Sequence, residues 1–419
     1  MSPPTDTFSR EEVRSHTTED SLWCIIDSTV YDLTDFVDAH PGGESVLHQI
    51  AGQDCTSAFY NLHRHEVLTK YAKLAIGTVK DEKPQVITPQ PGDLSPVPYA
   101  EPLWLTSHFK SPYYNESHRR LQRAIREFTD RYLAPEAQDC ETTGRYISQE
   151  MIEHMSRLGI LHMRLGPGKH LHGVELVGGV KGEEFDYFHD LIVSQEMCRP
   201  LARGFQDGNM AGMTIGLTAV LNFARDPAWK KRIADEVFSG KKKLSLAITE
   251  AFAGSDVAGV RTTAVKSADG SHYVVNGTKK WITNGAWSDY FVTGVRTGEH
   301  LSVLLIPRGE GVETKPIKTS YSPAAGTAYV TFDNVKVPAE NLLGEDGNVK
   351  QGIRMDALKL FQENKGIHVI LSNFNHERWA MACSSIRTCR SIVEECLKWA
   401  NQRQVFGKRL IDQPVIRQK

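Results

Sequence analysis

The sequence lacks several features that would point to common classes of protein. Its 49 Lys and Arg residues are balanced by 51 Asp and Glu residues, so no basic excess indicates nucleic-acid binding. The seven cysteines are scattered and form no CxxC pair, which argues against a zinc site or a disulfide framework and suits a reducing compartment. The longest apolar stretch, at 210–224, is too short to cross a bilayer and predicts a buried helix.

The N-terminus also lacks an apolar core, so it does not resemble a secretory signal, and it carries too many acids for a typical mitochondrial presequence. We therefore expect a cytoplasmic protein, with a peroxisomal or mitochondrial location as the alternatives. No membrane span and no nucleic-acid partner are expected.

The 419 residues are too many for one ordinary hydrophobic core, and the predicted secondary structure changes along the chain. A Pro-rich stretch predicts an extended linker between a small α+β unit and a longer region that is helical, then β-rich, then helical. The predicted fold class is multidomain α+β. The predicted domains are 1–80, the linker 81–103, a helical domain 104–245, a β domain 246–345 and an incomplete helical domain 346–419.

Local patterns predict individual elements within these domains. The run LWCIID at 22–27 predicts a strand, and apolar residues at helical spacing predict a helix that ends at Pro135. Asn276-Gly277, between two strand-like runs, predicts a hairpin turn. The segment that contains HERW predicts one long amphipathic helix.

The stretch DAHPGGES at 38–45 presents His40 on a sharp turn, because proline fixes φ and glycine permits left-handed backbone. A second apolar cluster downstream carries His63 and His65. A six-coordinate haem iron takes an imidazole from each side of a flat cofactor between apolar walls, and two such ligands favour electron transfer. Two short helical hairpins could supply these walls, and either later histidine could be the second ligand.

These residues carry a resemblance to a known family. The segment TVYDLTDFVDAHPGGESVLHQIAGQDCTSAFYNLHRHEVLTKY resembles the cytochrome b5 domain over nearly all of residues 20–80. The resemblance implies haem b as cofactor and His40 as one axial ligand. The pattern FYNLH before VLTKY favours His63 over His65 as the second ligand.

A separate pattern follows at residues 246–285. Gly254-Ser255 comes after an apolar strand and a Thr-Glu pair, where small residues allow backbone amides and a hydroxyl to approach a phosphate. It is not a GxGxxG motif before a helix, so the Rossmann interpretation fails. On a second strand, Trp281 and Thr283 could offer one aromatic plane and one hydrogen-bond donor to a flat ring.

Together AITEAFAGSDVAGVRTTA and VVNGTKKWITN resemble the acyl-CoA dehydrogenase family, and the likeness extends from about residue 105 to 419 through REFTDRYLAPEA and NQRQVFGKRLIDQPVIRQK. It implies a helical domain, a β-barrel-like middle domain and a second helical domain that bind FAD. One departure is Ala251, where the family usually has proline. The residues implied to contact FAD, the last two from a neighbouring subunit, are Ile248, Thr249, Gly254, Ser255, Trp281, Thr283, Arg403 and Phe406.

The family desaturates an acyl-CoA thioester by removing an α-proton with a carboxylate while a hydride leaves the β-carbon for the flavin. Glu377 in HERW matches the position of the base in a minority of members. A glutamate exposed at a helix start is the competing interpretation. Other members place the base beyond the position where this chain stops, at Lys419, and the later helices complete the oligomer interface.

The resemblances imply a haem- and FAD-containing oxidoreductase that acts on CH-CH donors and passes electrons from flavin to the b5 haem. The expected partners are an acyl-CoA, an electron-transfer flavoprotein or other redox partner and, with the later helices present, a dimer or tetramer. One alternative is a flavin oxidase of another carbon acid, such as a nitroalkane. Another is a b5 electron carrier with a degenerate dehydrogenase half.

Overall fold

The computed structural model describes residues 6–86, 89–106, 108–210, 215–344 and 365–419. The described residues form two compact units, one drawn from 1–90, 94–101 and 392–419 and the other from 91–93 and 102–391. The predicted domain boundaries stay predictions. The predicted buried helix at 210–224 lies only partly within the described residues.

The first unit is built on a five-stranded sheet with the order β1-β5-β4-β3-β2, in which only β1 and β5 are parallel. Asp27 and Ser28 join β3 to β4 with φ values of 48° and 66°, the left-handed pair that suits a two-residue hairpin. The predicted strand at 22–27 is confirmed as β3. The strands are β1 (Asp6–Phe8), β2 (Thr17–Thr18), β3 (Ser21–Ile26), β4 (Thr29–Asp32) and β5 (Ala75–Val79).

Short helices cover one face of this sheet. Buried Leu22, Cys24 and Ile26 alternate along β3 and pack against Leu47 and Cys55, so the pleat directs every second side chain into one core. The helices are α1 (Arg10–Ser15), α2 (Glu44–Ile50), α3 (Thr56–Leu62) and α4 (Glu66–Lys70).

The second unit begins with helices around a large apolar core. The expectation that Pro135 ends the first helix is wrong. A π-helical turn at Thr129–Leu133 precedes the proline, and the helix continues to Gly144, which caps it in the left-handed conformation. The wider turn makes room for a ring that would otherwise meet the preceding carbonyls. The helices are α5 (Glu116–Phe128), α6 (Ala134–Thr143), α7 (Gln149–Arg157), α8 (Ile160–Met163), α9 (Tyr187–Met197), α10 (Arg203–Met210), α11 (Thr218–Phe223) and α12 (Pro227–Phe238).

A short two-stranded sheet of β6 (Glu175–Leu176) and β7 (Val180–Lys181) lies within this helical region. An eight-stranded sheet follows, ordered β13-β14-β10-β9-β11-β12-β15, with β8 paired to β11. Its strands are β8 (Leu244–Ala247), β9 (Thr263–Lys266), β10 (His272–Ile282), β11 (Tyr290–Thr297), β12 (His300–Pro307), β13 (Val312–Pro316), β14 (Ala328–Pro338) and β15 (Leu342–Leu343).

The predicted hairpin at Asn276-Gly277 is wrong, because β10 runs straight through both residues. The pairing with β14 shifts register between Val275 and Gly277, so the two residues form a bulge. The Asn276 side chain accepts from Asn334 N at 2.8 Å, and a side chain at position 277 would come within 2.6 Å of Thr262 Oγ1. The glycine therefore serves close packing with the neighbouring strand, not chain reversal.

The predicted long helix is confirmed as α13 (Lys365–Gln402). β16 (Gln404–Val405), β17 (Lys408–Arg409) and α14 (Pro414–Gln418) follow it. The predicted sequence of helical, β-rich and helical regions is therefore present. No described helix is long and apolar enough to cross a membrane.

Candidate functional site

The first unit contains an apolar cavity of about 370 Å³ between its sheet and its short helices. His40 and His63 face each other across it, with ring centroids 6.1 Å apart. Apart from Lys70, the other walls are apolar or aromatic and include Ile26, Tyr31, Leu33, Phe36, Val46, Leu47, Ile50, Phe59, Leu62, Val67, Leu68 and Leu74.

The two glycines of HPGGE set the position of His40. A Cβ at Gly42 would lie 2.7 Å from His40 Cε1, so only glycine lets the imidazole fold over the turn. Gly43 has φ of 87°, which disfavours any other residue. The His40 Nδ1 lies 3.1 Å from Gly43 O, an arrangement that lets this nitrogen donate and leaves Nε2 as the ring's basic nitrogen.

His63 directly follows α3 and stacks on Phe59, with ring centroids 4.8 Å apart. Its Nδ1 is buried and makes no hydrogen bond to any described residue. His65 instead lies 3.0 Å from the Tyr60 hydroxyl through its Nδ1 and does not line the cavity. Of the two candidates, the structure brings only His63 to His40.

This arrangement fits a bis-imidazole haem. A metal–imidazole bond is about 2 Å long, and each bonded nitrogen lies roughly 1 Å from its ring centre. Two imidazoles on opposite sides of a metal therefore have ring centres about 6 Å apart, which agrees with the distance between His40 and His63. An apolar cavity between two facing imidazoles also suits the cofactor better than water.

In the second unit, a buried ion pair orders the loop that follows β8. Lys279 Nζ lies 2.8 Å from Glu250 Oε1 and also donates to Ile248 O at 3.0 Å. The Glu250 carboxylate further accepts from the backbone amides of Arg261 and Thr262 and from the Thr262 hydroxyl. Burial disfavours the charged forms of both partners, and it lowers the pKa of Lys279 to about 8.

The sequence interpretation missed this pair, although an acid after a strand and a lysine on the next apolar strand were visible. Despite the cost of burial, the hydrogen bonds from Lys279 and Thr262 hold the pKa of Glu250 below its ordinary value. The pair therefore fastens residues 248–262 to β10.

The predicted flavin residues lie on this fastened loop and at the end of β10. Thr249 O accepts from Lys280 N at 2.9 Å, which brings Ile248 and Thr249 beside Trp281. Trp281 is 52% exposed, an unusual position for so large an apolar ring. It has φ of 64°, and β10 ends at Ile282, so the expectation that Trp281 and Thr283 both lie on one regular strand is wrong.

Gly254 and Ser255 are exposed on the same loop, and a Cβ at Gly254 would meet no heavy atom within 4 Å. Phe252, which the sequence interpretation did not single out, is 75% exposed near them in the chain. Exposed aromatic rings beside an open, amide-rich loop fit a cofactor with a flat ring and phosphates.

Arg403 and Phe406 belong to the first unit, and the structure does not place them with the flavin loop in one unit. Arg403 Nη1 donates to Asn61 O at 2.6 Å. Phe406 is 95% exposed with φ of 52°.

Glu377 lies well inside α13, so its interpretation as a helix-start residue is wrong. Its side chain is half-buried, and burial raises the pKa of its carboxyl, opposed by the charge of Arg378. A carboxylate with a raised pKa suits proton abstraction.

The residues on either side of Glu377 are anchored by one buried acid that the sequence interpretation missed. Asp190 Oδ2, on α9, lies 2.8 Å from His376 Nε2 and 2.8 Å from Trp379 Nε1. The spacing of His376 and Trp379 places both on one helix face, which was the available signal. Asp190 therefore fixes the rotation of α13 at Glu377.

Sequence profiles of four families match the chain in order. The cytochrome b5-like heme/steroid binding domain matches residues 9–80, and the acyl-CoA dehydrogenase N-terminal, middle and C-terminal domains match 115–241, 245–335 and 364–419. These matches confirm the predicted combination of a b5 module with an acyl-CoA dehydrogenase region.

Curated relatives agree with this assignment. The acyl-CoA dehydrogenase apdG of Emericella nidulans is 39% identical over 339 residues, which cover 78% of this chain and 73% of the relative. The acyl-CoA dehydrogenase AFT10-1 of Alternaria alternata is 36% identical, with 78% and 72% covered. The very long-chain specific acyl-CoA dehydrogenase of Macaca fascicularis is 33% identical, with 50% and 31% covered.

Solved structures share the fold. Butyryl-CoA dehydrogenase from Megasphaera elsdenii superposes with a TM-score of 0.61 at 22% identity, covering 74% of this chain and 75% of that one. The acyl-CoA dehydrogenase complexed with FAD from Bacillus anthracis gives 0.60 at 26%, covering 74% and 49%. The predicted cofactors, FAD and haem, are confirmed at the level of the matched families. The chain thus belongs to the acyl-CoA dehydrogenase family of flavin oxidoreductases and carries a cytochrome b5-like module ahead of the dehydrogenase region.

Proposed function

We propose that this protein removes two hydrogens from the α and β carbons of an acyl-CoA and passes the electrons from flavin to a haem in its own b5 module. The observation that carries the proposal is the pair His40 and His63, which face each other across an apolar cavity in an acyl-CoA dehydrogenase chain. Two imidazole ligands leave no open iron position, so the haem module suits electron transfer.

Bound FAD supplies the acceptor for the β-hydride, and bound haem supplies a one-electron acceptor. The chain's own residues do the rest. Glu377 accepts the α-proton, and its raised pKa makes the carboxylate a stronger base than an exposed glutamate. Asp190 is a positioning residue, since it holds His376 and Trp379 on either side of that base.

Two groups of residues would hold FAD. Thr249, Trp281 and Thr283 form the surface proposed to contact the ring, while Ile248, whose side chain is buried in the core, would contribute its backbone alone. Gly254 and Ser255 offer an open loop for phosphate. The ion pair of Glu250 and Lys279 keeps these two parts together.

The proposal extends to oligomerisation and to the compartment. The near-complete exposure of Phe406 supports its role at a neighbouring subunit's FAD in a homo-oligomer, whereas Arg403 donates to Asn61 O in its own unit. An electron-transfer flavoprotein or another redox partner would then accept electrons. All seven cysteines are free thiols, which supports the cytoplasm, and fluorescent tagging in cells would test this location.

The experiment is to purify the full chain, quantify haem and FAD, and look for enoyl-CoA after incubation with saturated acyl-CoAs of several lengths and an artificial acceptor. Haem and FAD in equal amounts, with enoyl-CoA formed, is the expected result. Haem without FAD and no product would support the b5 carrier instead. Peroxide from a nitroalkane without desaturation would support the oxidase.

A further inference from the structure

The helix that leads to His63 is capped by a distant part of the same unit. The last carbonyls of any helix lack partners within the helix. At the end of α3, Gln402 Nε2 donates to the carbonyls of Tyr60 and His63, the latter at 2.5 Å. Arg403 Nη1 donates to Asn61 O at 2.6 Å, so a cation also lies where the helix dipole favours one.

Two further contacts widen this surface. Gln404 N donates to Asn61 Oδ1 at 2.8 Å, so the segment after α13 contacts Asn61 through its backbone as well as through side chains. Arg64, the residue after His63, forms an ion pair with Glu395, which lies about two turns before Gln402 on α13. Residues 395–404 therefore contact the residues before and after His63 in the chain.

These contacts matter because the described residues offer the His63 ring few other contacts that would hold it. Its ring stacks on Phe59, but the buried Nδ1 makes no hydrogen bond to any described residue. His40, in contrast, is held through its ring by Gly43 O and by the crowded turn below it. Of the two facing histidines, only His63 depends on its backbone carbonyl and its neighbours for position.

We propose that residues 395–404 are an intramolecular docking site for the haem module, in which Gln402 is a positioning residue for the haem ligand His63. The segment belongs to the sequence match with the acyl-CoA dehydrogenase C-terminal domain, but it lies in the same compact unit as the haem module. Loosening it shifts the electronic environment of the iron and speeds the loss of haem. The inference rests on the proposed function only in taking haem as bound at His40 and His63.

The test compares Gln402→Ala with the matched control Gln418→Ala in the full chain. Haem loss to an excess of apomyoglobin and the electron paramagnetic resonance spectrum of the ferric low-spin haem are measured for each. Gln402→Ala should release haem at least about threefold faster, since two hydrogen bonds are lost, and its resonance should shift. Gln418→Ala should match the unaltered protein in both.

A charge exchange gives a second variant that does not depend on Gln402. Glu395→Arg should speed haem loss, and adding Arg64→Glu should restore the slow rate, whereas a general folding defect would not be rescued. Unaltered haem loss and resonance in both Gln402→Ala and Glu395→Arg would overturn the docking site. An unaltered chain that binds no haem would instead refute the proposed function.

Discussion

The haem site and the flavin site of this protein differ in how they are assembled. The facing histidines and the cavity walls all come from one stretch of the first unit, between β3 and β5. The proposed flavin surface combines a loop after β8 with the end of β10, two segments that are separated in the chain by β9. The position of His40 is set by a local turn, whereas the flavin surface depends on a buried ion pair that joins its two parts.

The largest expected effect tests the locally built site. His63→Ala should abolish the low-spin haem spectrum, because one of the two facing ligands is lost. His65→Ala is the matched control and should keep the spectrum, since His65 pairs with Tyr60 outside the cavity. A visible absorption spectrum of each purified variant shows which histidine binds the iron. Loss of the low-spin spectrum in His65→Ala but not in His63→Ala would make His65 the ligand.

The next effect concerns the base. Glu377→Gln should lower kcat for desaturation by about 10²–10⁴-fold, the range for loss of a general base, with FAD content unchanged. A steady-state assay with an artificial acceptor measures it. A kcat within twofold of the unaltered enzyme would show that the base is another residue.

The same substitution makes a prediction about pH. Because the folded pKa of Glu377 is raised, the unaltered protein loses stability as pH rises from the ordinary glutamate pKa through the folded one. Glu377→Gln removes this loss, so it should melt at a higher temperature at pH 7 and match the unaltered protein below the ordinary glutamate pKa. Thermal melts across this range check the sign, and a lower Tm for the variant at pH 7 would refute the burial argument.

Breaking the buried ion pair tests the distributed site. Lys279→Met leaves Glu250 buried without its cation and should cost about 3–5 kcal/mol in unfolding free energy, with a loss of bound FAD. Adding Glu250→Gln should recover much of that stability. Denaturant unfolding with FAD quantification measures both, while haem content should stay unchanged because the b5 module lies in the other unit.

A smaller effect is expected at Gly42, in the turn that holds the haem ligand His40. Gly42→Ala should weaken haem binding without abolishing it, because the new methyl group would press on His40 Cε1. A titration with haem, beside the control substitution Gly309→Ala, whose Cβ would meet open space, measures the difference. Neither Gly42 nor Gly309 has a positive φ, so backbone strain does not separate the two variants. Equal haem affinity would show that the turn tolerates a side chain.

The sequence was informative where the chemistry is local. The turn at Pro41-Gly42-Gly43 predicted that His40 is presented as a ligand, because short-range backbone constraints decide its position. The resemblance to the cytochrome b5 domain, and not the spacing alone, favoured His63 over His65 as the second ligand. It was misleading at Pro135 and at Asn276-Gly277, where packing overrode the local preference: a π-helical turn absorbed the proline, and a bulge against Thr262 absorbed the glycine. The same residue types stop a helix or form a turn elsewhere, so the pattern alone could not decide.

Contacts between distant residues were not predictable in the same way. The pair of Glu250 and Lys279 and the anchoring of His376 and Trp379 by Asp190 join residues far apart in the chain. Single buried ionisable residues give no signal of their partners in one sequence. They become visible only when the fold places them within hydrogen-bond distance.

The most direct test of the central claim is an anaerobic stopped-flow experiment on the full chain loaded with FAD and haem. Acyl-CoA is mixed with the oxidised protein, and flavin and haem absorbance are followed together over a range of protein concentrations. Electron transfer within the chain predicts that the flavin bleaches first and that the haem is reduced afterwards at a rate independent of protein concentration. Flavin that bleaches while the haem stays oxidised would contradict electron transfer within the chain.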